Sequence, residues 1–440
     1  MISQNHMKKH TIAVVGLWHL GEIFSAGLAE LGHTVIGIDN EKKVIADLQK
    51  GIPPLAEPGL AELIKKNTAK KQLSFTTKFE ELKNCDVVWI AFDTPVTKHD
   101  EADLKPIWNF FKLAAPLFKQ NSLIVISSQV PVGSCQKIQE FIHENRPELF
   151  FDLAYVPENL QLGQAVKSFF EPKRIVVGAT GEAVIKKIEG IFSPLQAAIL
   201  PMNTASAELS KHALNSFLAT SLSFIYDIAD VAKAYGADVV EVTRALRSDE
   251  RIGPGAYLDA SIGFSGGTLA RDLNTLLKKA REARLSLPVI AGVFKKNKTQ
   301  RNLAAKYLAD HLGNLQGKKV AVLGLTYKPG TATLRRALSL EIIPKLLAAG
   351  AIVCAHDPMA DVKEVKEALP VEFFANPYDC AKGCQAVIII TNWPEFKKLD
   401  LRKLKSCLKS PYLFFDTRNF FYNQEKTVRE AGFTYVGIGR

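Results

Sequence analysis

Cysteine is scarce in this chain: six residues in 440, at Cys85, Cys135, Cys354, Cys380, Cys384 and Cys407, with no CxxC pair and no regular spacing. That pattern excludes a disulfide framework and leaves buried free thiols as the expectation. Cys380 and Cys384 stand four apart, which predicts one shared helix face, but no His or Cys with ligand spacing lies near them, so no metal is expected. Long apolar runs are missing too. No stretch of about 18 apolar residues occurs, and the opening MISQNHMKKH lacks the apolar core of a signal peptide, with Met7 as an alternative start. A chain with no membrane segment, at work in the cytoplasm, is the expectation. Acidic charge is in deficit, with 45 Asp and Glu against 56 Lys and Arg, net +11. The excess is scattered along stretches such as KKNTAKK, and no zinc-finger or RNP-like pattern accompanies it. An anionic small ligand is therefore a better match than nucleic acid.

The rest is ordinary globular composition, 47% hydrophobic and 23% charged, long enough for two or three domains. TIAVVGL (11–17) reads as a strand, WHLGEIFSAGLAELG as a helix, and HTVIGID as a second strand ending at Asp39. Apolar runs recur at 86–92, 122–127, 152–157, 174–179 and 197–202, mostly with helical spacing between them. This alternation predicts a doubly wound, mostly parallel sheet. From about Ala205 strands give way to a long helical stretch stopped by Gly236, followed by the Gly/Pro-rich loop 251–267 and further helices. After Gly317 the α/β pattern resumes with KKVAVLGL, then runs at 351–357, 385–391 and 412–417. The expected fold is α/β: two Rossmann-like parallel-sheet domains, 1–204 and 315–440, joined by a helical segment, 205–314.

Two features carry chemistry. Gly16-Leu-Trp-His-Leu-Gly21 sits between a strand and a helix, with Asp39 closing the next strand. That context is the dinucleotide fingerprint with Trp18 in place of its middle glycine, and an acid at the second strand end favours NAD over NADP. The alternative is a tight turn that merely needs glycine. On the long helix, Lys211 and Asn215 are four apart and share a face. Such a pair is either solvent-facing or part of a site.

GFSGGTLARD (263–272) resembles the catalytic loop of the nucleotide-sugar 6-dehydrogenases, the UDP-glucose/GDP-mannose dehydrogenase family, which reads roughly GFGGSCxxKD. ELSKHALNSFLAT resembles the family's ELxKxxxNxFLA, YVPENLQLG (155–163) its NPEFLxEG, and LGLTYKPGTATLRRALS (323–339) its LGLxFKxxTxDxRxS. FDTPV (92–96) and SSQVPVG (127–133) are similar to its NTP and STVPVG segments. The likeness runs from about Lys9 to Arg440.

The resemblance implies NAD as cofactor at Gly16, Gly21, Asp39, Thr94 and Arg335. It implies a nucleotide-sugar substrate held by Arg251, Gly266, Gly267 and Lys328, with Thr331 also matching. It gives Lys211 the oxyanion at the sugar's C6, Asn215 the fixing of substrate and lysine, and Glu158 and Asp272 the handling of water. It implies a homodimer built on the long helix, whose Leu214, Phe217, Leu218, Leu222, Phe224 and Ile225 are apolar on more than one face.

The departures fall on chemistry. Thr268 replaces the loop cysteine, Gln129 a threonine, Leu162 a second glutamate, Arg271 a lysine, Thr333 an aspartate and Ala337 a serine. A thiol titrates near 8.5 and water near about 15.7. A hydroxyl nucleophile is thus disfavoured by about 7 pKa units, on the order of 10 kcal/mol. The expectation is oxidation at C6 toward the uronate through an aldehyde hydrate, with Thr268 as a hydrogen-bonding group. The alternatives are a stop at the 6-aldehyde and a non-catalytic nucleotide-sugar-binding homologue. A β-hydroxyacid dehydrogenase is disfavoured by the second sheet domain. Cys135, at the start of a helix where thiol pKa values fall, is a weaker substitute nucleophile.

Overall fold

The computed structural model describes residues 8–95, 102–158 and 160–440. Met7, Val96 and Asn159, named above or within quoted motifs, lie outside them. The chain divides into two compact units, Met1–Ala213 and Leu214–Arg440.

The first unit is built on eight strands: β1 (Thr11–Val15), β2 (Thr34–Ile38), β3 (Leu73–Thr76), β4 (Val87–Ile90), β5 (Ser122–Ile126), β6 (Phe151–Tyr155), β7 (Arg174–Ala179) and β8 (Ala198–Met202). Their order across the sheet is β3-β2-β1-β4-β5-β6-β7-β8. Every neighbouring pair is parallel except β6 with β7. Strand β1 shows why both faces are covered. Ile12 and Val14 enter one apolar cluster, and Ala13 and Val15 enter another. Helices that return each parallel crossover bury both faces, so the strand reads as a continuous apolar run.

The second unit carries a six-stranded, all-parallel sheet: β9 (Lys319–Leu323), β10 (Ile352–His356), β11 (Glu372–Phe373), β12 (Ala386–Ile389), β13 (Leu413–Asp416) and β14 (Thr434–Gly437), in the order β11-β10-β9-β12-β13-β14. Helical residues from Ala219 to Leu308 share one core with Val320, Val322 and Ile388 of this sheet. The segmentation at 204 and 314 is one of sequence pattern, whereas compactness divides the chain once, inside the helix Thr204–Tyr235. Gly236, at φ +71°, ends that helix as expected.

The two sheets repeat one local device. Gly16 takes φ +89° and Gly324 φ +91°. The next amide donates to the acid that closes the neighbouring strand: Leu17 to Asp39 at 2.8 Å, Leu325 to Asp357 at 2.7 Å.

One expectation fails here. Cys380 lies in the helix Pro377–Ala381, but Cys384 lies beyond it, with its thiol 3.4 Å from the Cys380 carbonyl. The helix stops one turn too early for the pair to share a face, and Gly383 at φ +75° turns the chain between them. Among the described residues no helix is long and apolar enough to cross a membrane.

Candidate active site

In the first unit the turn Gly16–Gly21 joins β1 to the helix His19–Glu30. A side chain at Gly16 would bring its Cβ within 2.8 Å of the Phe92 ring, and one at Gly21 within 1.9 Å of the Gly16 carbonyl oxygen. Strand, turn and helix pack this closely only without Cβ atoms, which leaves the backbone amides of the helix start open to a diphosphate. Trp18, in the middle position, has an ordinary extended backbone, φ −85°, and its ring lies edge-on to His19 at 6.2 Å. Asp39 accepts one amide on each oxygen, from Leu17 at 2.8 Å and Glu41 at 3.0 Å. A carboxylate has about four acceptor positions, so room remains for two ribose hydroxyls. These residues fit the adenosine end of a dinucleotide.

The first unit also holds Lys211 with Glu158. The ammonium donates to the Glu158 carbonyl at 2.6 Å and stands 3.3 Å from its carboxylate. Lys211 is buried, and Glu158 keeps partial exposure while accepting the Leu160 amide at 2.8 Å. The helix under Lys211 is locked on either side of it. Glu208 accepts the amides of Gly133 at 2.6 Å and Cys135 at 2.7 Å, and the His212 ring bonds the Val130 carbonyl at 2.9 Å. These bonds overturn the suggestion for Cys135. Burial pushes its thiol well up, and the Glu208 carboxylate at the helix start adds to the effect where a bare N-terminus would lower it. Thr94 and Gln129 are buried near the ends of β4 and β5.

In the second unit the loop at 263–272 is shaped by its neighbours. Gly263 takes φ +111°, Phe264 exchanges bonds with the Asn297 amide at 2.8 and 3.0 Å, and Arg301 reaches the Phe264 carbonyl at 3.2 Å. Gly266–Ala270, including Gly266 and Gly267, form a π-helical turn with Thr268 at its centre. The Thr268 hydroxyl lies 3.4 Å from the Tyr327 hydroxyl. Asp272 is fully buried in the first turn of the helix Arg271–Glu282, where the dipole favours a carboxylate. The Asn215 amide donates to it at 2.5 Å. Lys328 and Arg335 are half-buried on the loop after β9, where Thr331 bonds the Lys328 carbonyl at 2.9 Å. Arg251 is exposed and gripped at both ends of its guanidinium by Asp249, at 2.9 and 2.7 Å. The predicted residues thus gather as Gly16 with Gly21 and Asp39, Lys211 with Glu158, Asn215 with Asp272, and Thr268 with Tyr327.

Sequence reasoning missed Tyr327, the aromatic inside LGLTYKPGT. It also missed Arg418, just after β13, whose guanidinium donates to the Ile390 carbonyl at 3.1 Å. Burial lowers the pKa of the Arg418 guanidinium from its ordinary value, and nearby acids such as Asp416 oppose that fall. Arg418 stands far from the 323–339 motif in the sequence, so no motif signalled it. A cavity of about 680 Å³ opens at the N-terminal ends of β5 and β6, and none of the predicted site residues lines it.

Known proteins match this arrangement along the whole chain. Residues 10–196 match the NAD binding domain of the UDP-glucose/GDP-mannose dehydrogenase family, 205–299 its central domain and 321–423 its UDP binding domain. The chain belongs to that family. Among its relatives, the UDP-glucose 6-dehydrogenase TuaD of Bacillus subtilis is 36% identical over 438 residues, 99% of this chain and 94% of that one. The UDP-glucose 6-dehydrogenase of Pseudomonas aeruginosa is 30% identical over 444 residues, covering 98% and 97%. The solved UDP-glucose dehydrogenase of the hyperthermophilic archaeon Pyrobaculum islandicum superposes with a TM-score of 0.90 at 30% identity, over 100% of both chains. The chain is thus a member of a nucleotide-sugar dehydrogenase family, with NAD as the cofactor of its first sheet.

Proposed function

We propose that the protein oxidises the C6 hydroxyl of a UDP-sugar, UDP-glucose or a related UDP-hexose, toward the uronate without a covalent thioester. It does so as a cytoplasmic homodimer whose segments 1–204, 205–314 and 315–440 bind NAD, dimerise and carry the reactive loop, and bind the nucleotide. The observation that carries this reading is the pairing of Lys211 with Glu158 at 3.3 Å and of Asn215 with Asp272 at 2.5 Å, with Thr268 in the loop that bears Asp272. The family motifs keep their ammonium, these two carboxylates and their amide in this chain, and lose the thiol.

NAD supplies the hydride acceptor. Lys211 offers a fixed positive charge where an oxyanion grows on C6, which stabilises the transition state more than the bound alcohol. Glu158, partly exposed, is placed to take a proton through water. Asp272, oriented by Asn215, holds the water or hydrate hydroxyl for the second oxidation. Thr268 donates or accepts a single hydrogen bond at the position where a thiolate would attack. Lys328 and Arg418 supply positive charge for the diphosphate of the nucleotide sugar, and Arg335 is assigned to NAD.

A second copy is the partner we assign to the long helix. Phe217, Phe224 and Val231 recur every seven residues and are 70%, 48% and 56% exposed, followed by Tyr235 at 86%. An apolar stripe of this period on one face is what a helix seam buries.

The test is the yield of NADH per nucleotide sugar in the presence of a thiol alkylator. Two per sugar supports the hydrate route. One per sugar shows a stop at the aldehyde, the reading that the loss of the thiol favours. None with any UDP-, GDP- or amino-sugar establishes the binding homologue. A covalent adduct on Thr268 refutes the non-covalent route.

A further inference from the structure

A buried carboxylate beside the dinucleotide turn is Glu57, whose side chain is 0% exposed. It accepts from two separate segments of the first unit. Oε1 takes the His19 Nε2 at 2.8 Å and the Gly163 amide at 2.6 Å, and Oε2 takes the Ala165 amide at 3.1 Å. Burial acts to raise this carboxyl, but the bonds from His19, Gly163 and Ala165 overcome it and hold it below its ordinary value. It is therefore an anion committed to three donors.

The two segments are the ones the function needs. His19 is the first residue of the helix after the glycine turn, where a diphosphate meets the helix start. Gly163 and Ala165 end the span that carries Glu158. The near end of that span is pinned to the sheet, the Val156 amide to Ile126 at 2.9 Å and the Ser127 hydroxyl to the Val156 carbonyl at 2.7 Å. Its far end is pinned by Glu57. A single oxygen shared between His19 and Gly163 makes the position of one donor depend on the other.

We propose that Glu57 is a positioning residue that couples occupancy of the dinucleotide turn to the placement of the Glu158 span, through His19 on one side and Gly163 and Ala165 on the other. This rests on the reading that Glu158 serves the reaction. When NAD settles on the helix start, His19 is fixed, the shared oxygen is fixed with it, and the far anchor of the span tightens before substrate chemistry begins.

Amide hydrogen exchange with and without NAD tests the coupling without needing turnover. In the unmodified protein NAD should slow exchange both at 16–22 and at 160–165, the latter about tenfold, the loss of one charge-assisted bond. His19→Phe keeps a flat ring but removes the donor. It should abolish the slowing at 160–165 and leave it at 16–22. His19→Gln restores a donor and should restore the coupling. Equal slowing at 160–165 in the unmodified protein and in His19→Phe, or no slowing there in the unmodified protein, overturns the proposal. Glu57→Gln should speed exchange at Gly163 and Ala165 even without NAD, and lower kcat more than NAD affinity. If that variant does not fold, the His19 pair decides alone. Absence of turnover with every nucleotide sugar would defeat the proposed function and leave the exchange result standing.

Discussion

Glu22 should make the stability of the first unit fall as pH rises, and a single amide substitution should remove the effect. It lies in the first turn of the helix that begins at His19, at 0% exposure, with only the nearby Leu55 backbone amide favouring its charged form. Burial, with Glu57 nearby adding to it, raises its pKa well above the ordinary 4.5. Below about pH 4.5 the carboxyl is protonated in both the folded and the unfolded chain. Above that, the unfolded chain releases the proton and the folded chain keeps it. Stability is lost by up to about 1.4 kcal/mol per pH unit until the folded carboxyl ionises. Glu22→Gln is neutral at every pH and nearly isosteric. The difference in unfolding free energy between Glu22→Gln and the unmodified protein should therefore grow in favour of the amide by about 1.4 kcal/mol per unit above that point. Other titrating groups cancel in the difference. Urea unfolding at several pH values, followed through Trp89, which is buried and stacked on Phe24 at 5.1 Å, provides the measurement. A difference that stays flat from pH 4.5 to 7 would refute the reasoning, because it would mean that Glu22 ionises alike in both states.

Asp39→Asn should leave the turn folded but narrow the preference for NAD over NADP by about tenfold or more, since the 2′-phosphate is no longer repelled; steady-state comparison of the two cofactors checks it. Lys211→Ala should lower kcat by about 10²–10³-fold while NAD affinity, measured by titration, changes little. Phe224→Asp in the exposed stripe of the long helix should shift the protein to monomers in light scattering at micromolar concentration, with its far-ultraviolet spectrum unchanged. A monomeric unmodified protein would remove the seam.

The sequence announced the strands in the middle of each sheet and one edge strand, β8, and missed the other three edges. β1, β2, β4 and β9 are apolar runs because they are covered on both faces. β3, β11 and β14 escaped because edge strands need fewer buried positions and are short, two residues in the case of β11. The long helix and Gly236 were legible from spacing and from the one residue that takes φ +71° freely. Lys211 and Glu158 were legible only through family motifs, because a 53-residue separation carries no period. Glu57 left no signal at all, and Glu208 left only its place at the head of the ELSK motif. A glutamate reads as a surface residue until the fold turns backbone amides toward it, as Gly163, Ala165, Gly133 and Cys135 are turned here. Cys384 misled for the opposite reason: four-residue spacing promises a helix face only while the helix lasts.

The glycine–acid device shared by the two sheets differs in how many lone pairs are left over. Asp39 answers two backbone amides. Asp357 answers Leu325, Thr326 twice and Trp393 on one oxygen, and Met359 and Ala360 on the other. That exceeds the roughly four acceptor positions a carboxylate offers, so a ribose would find nothing vacant there. The same backbone scaffold thus serves as a receptor in one half of the molecule and as a sealed joint in the other. Grafting dinucleotide recognition onto the second half would require stripping away Trp393 and the Thr326 hydroxyl, the groups that close the acid from the side, rather than adding any new contact.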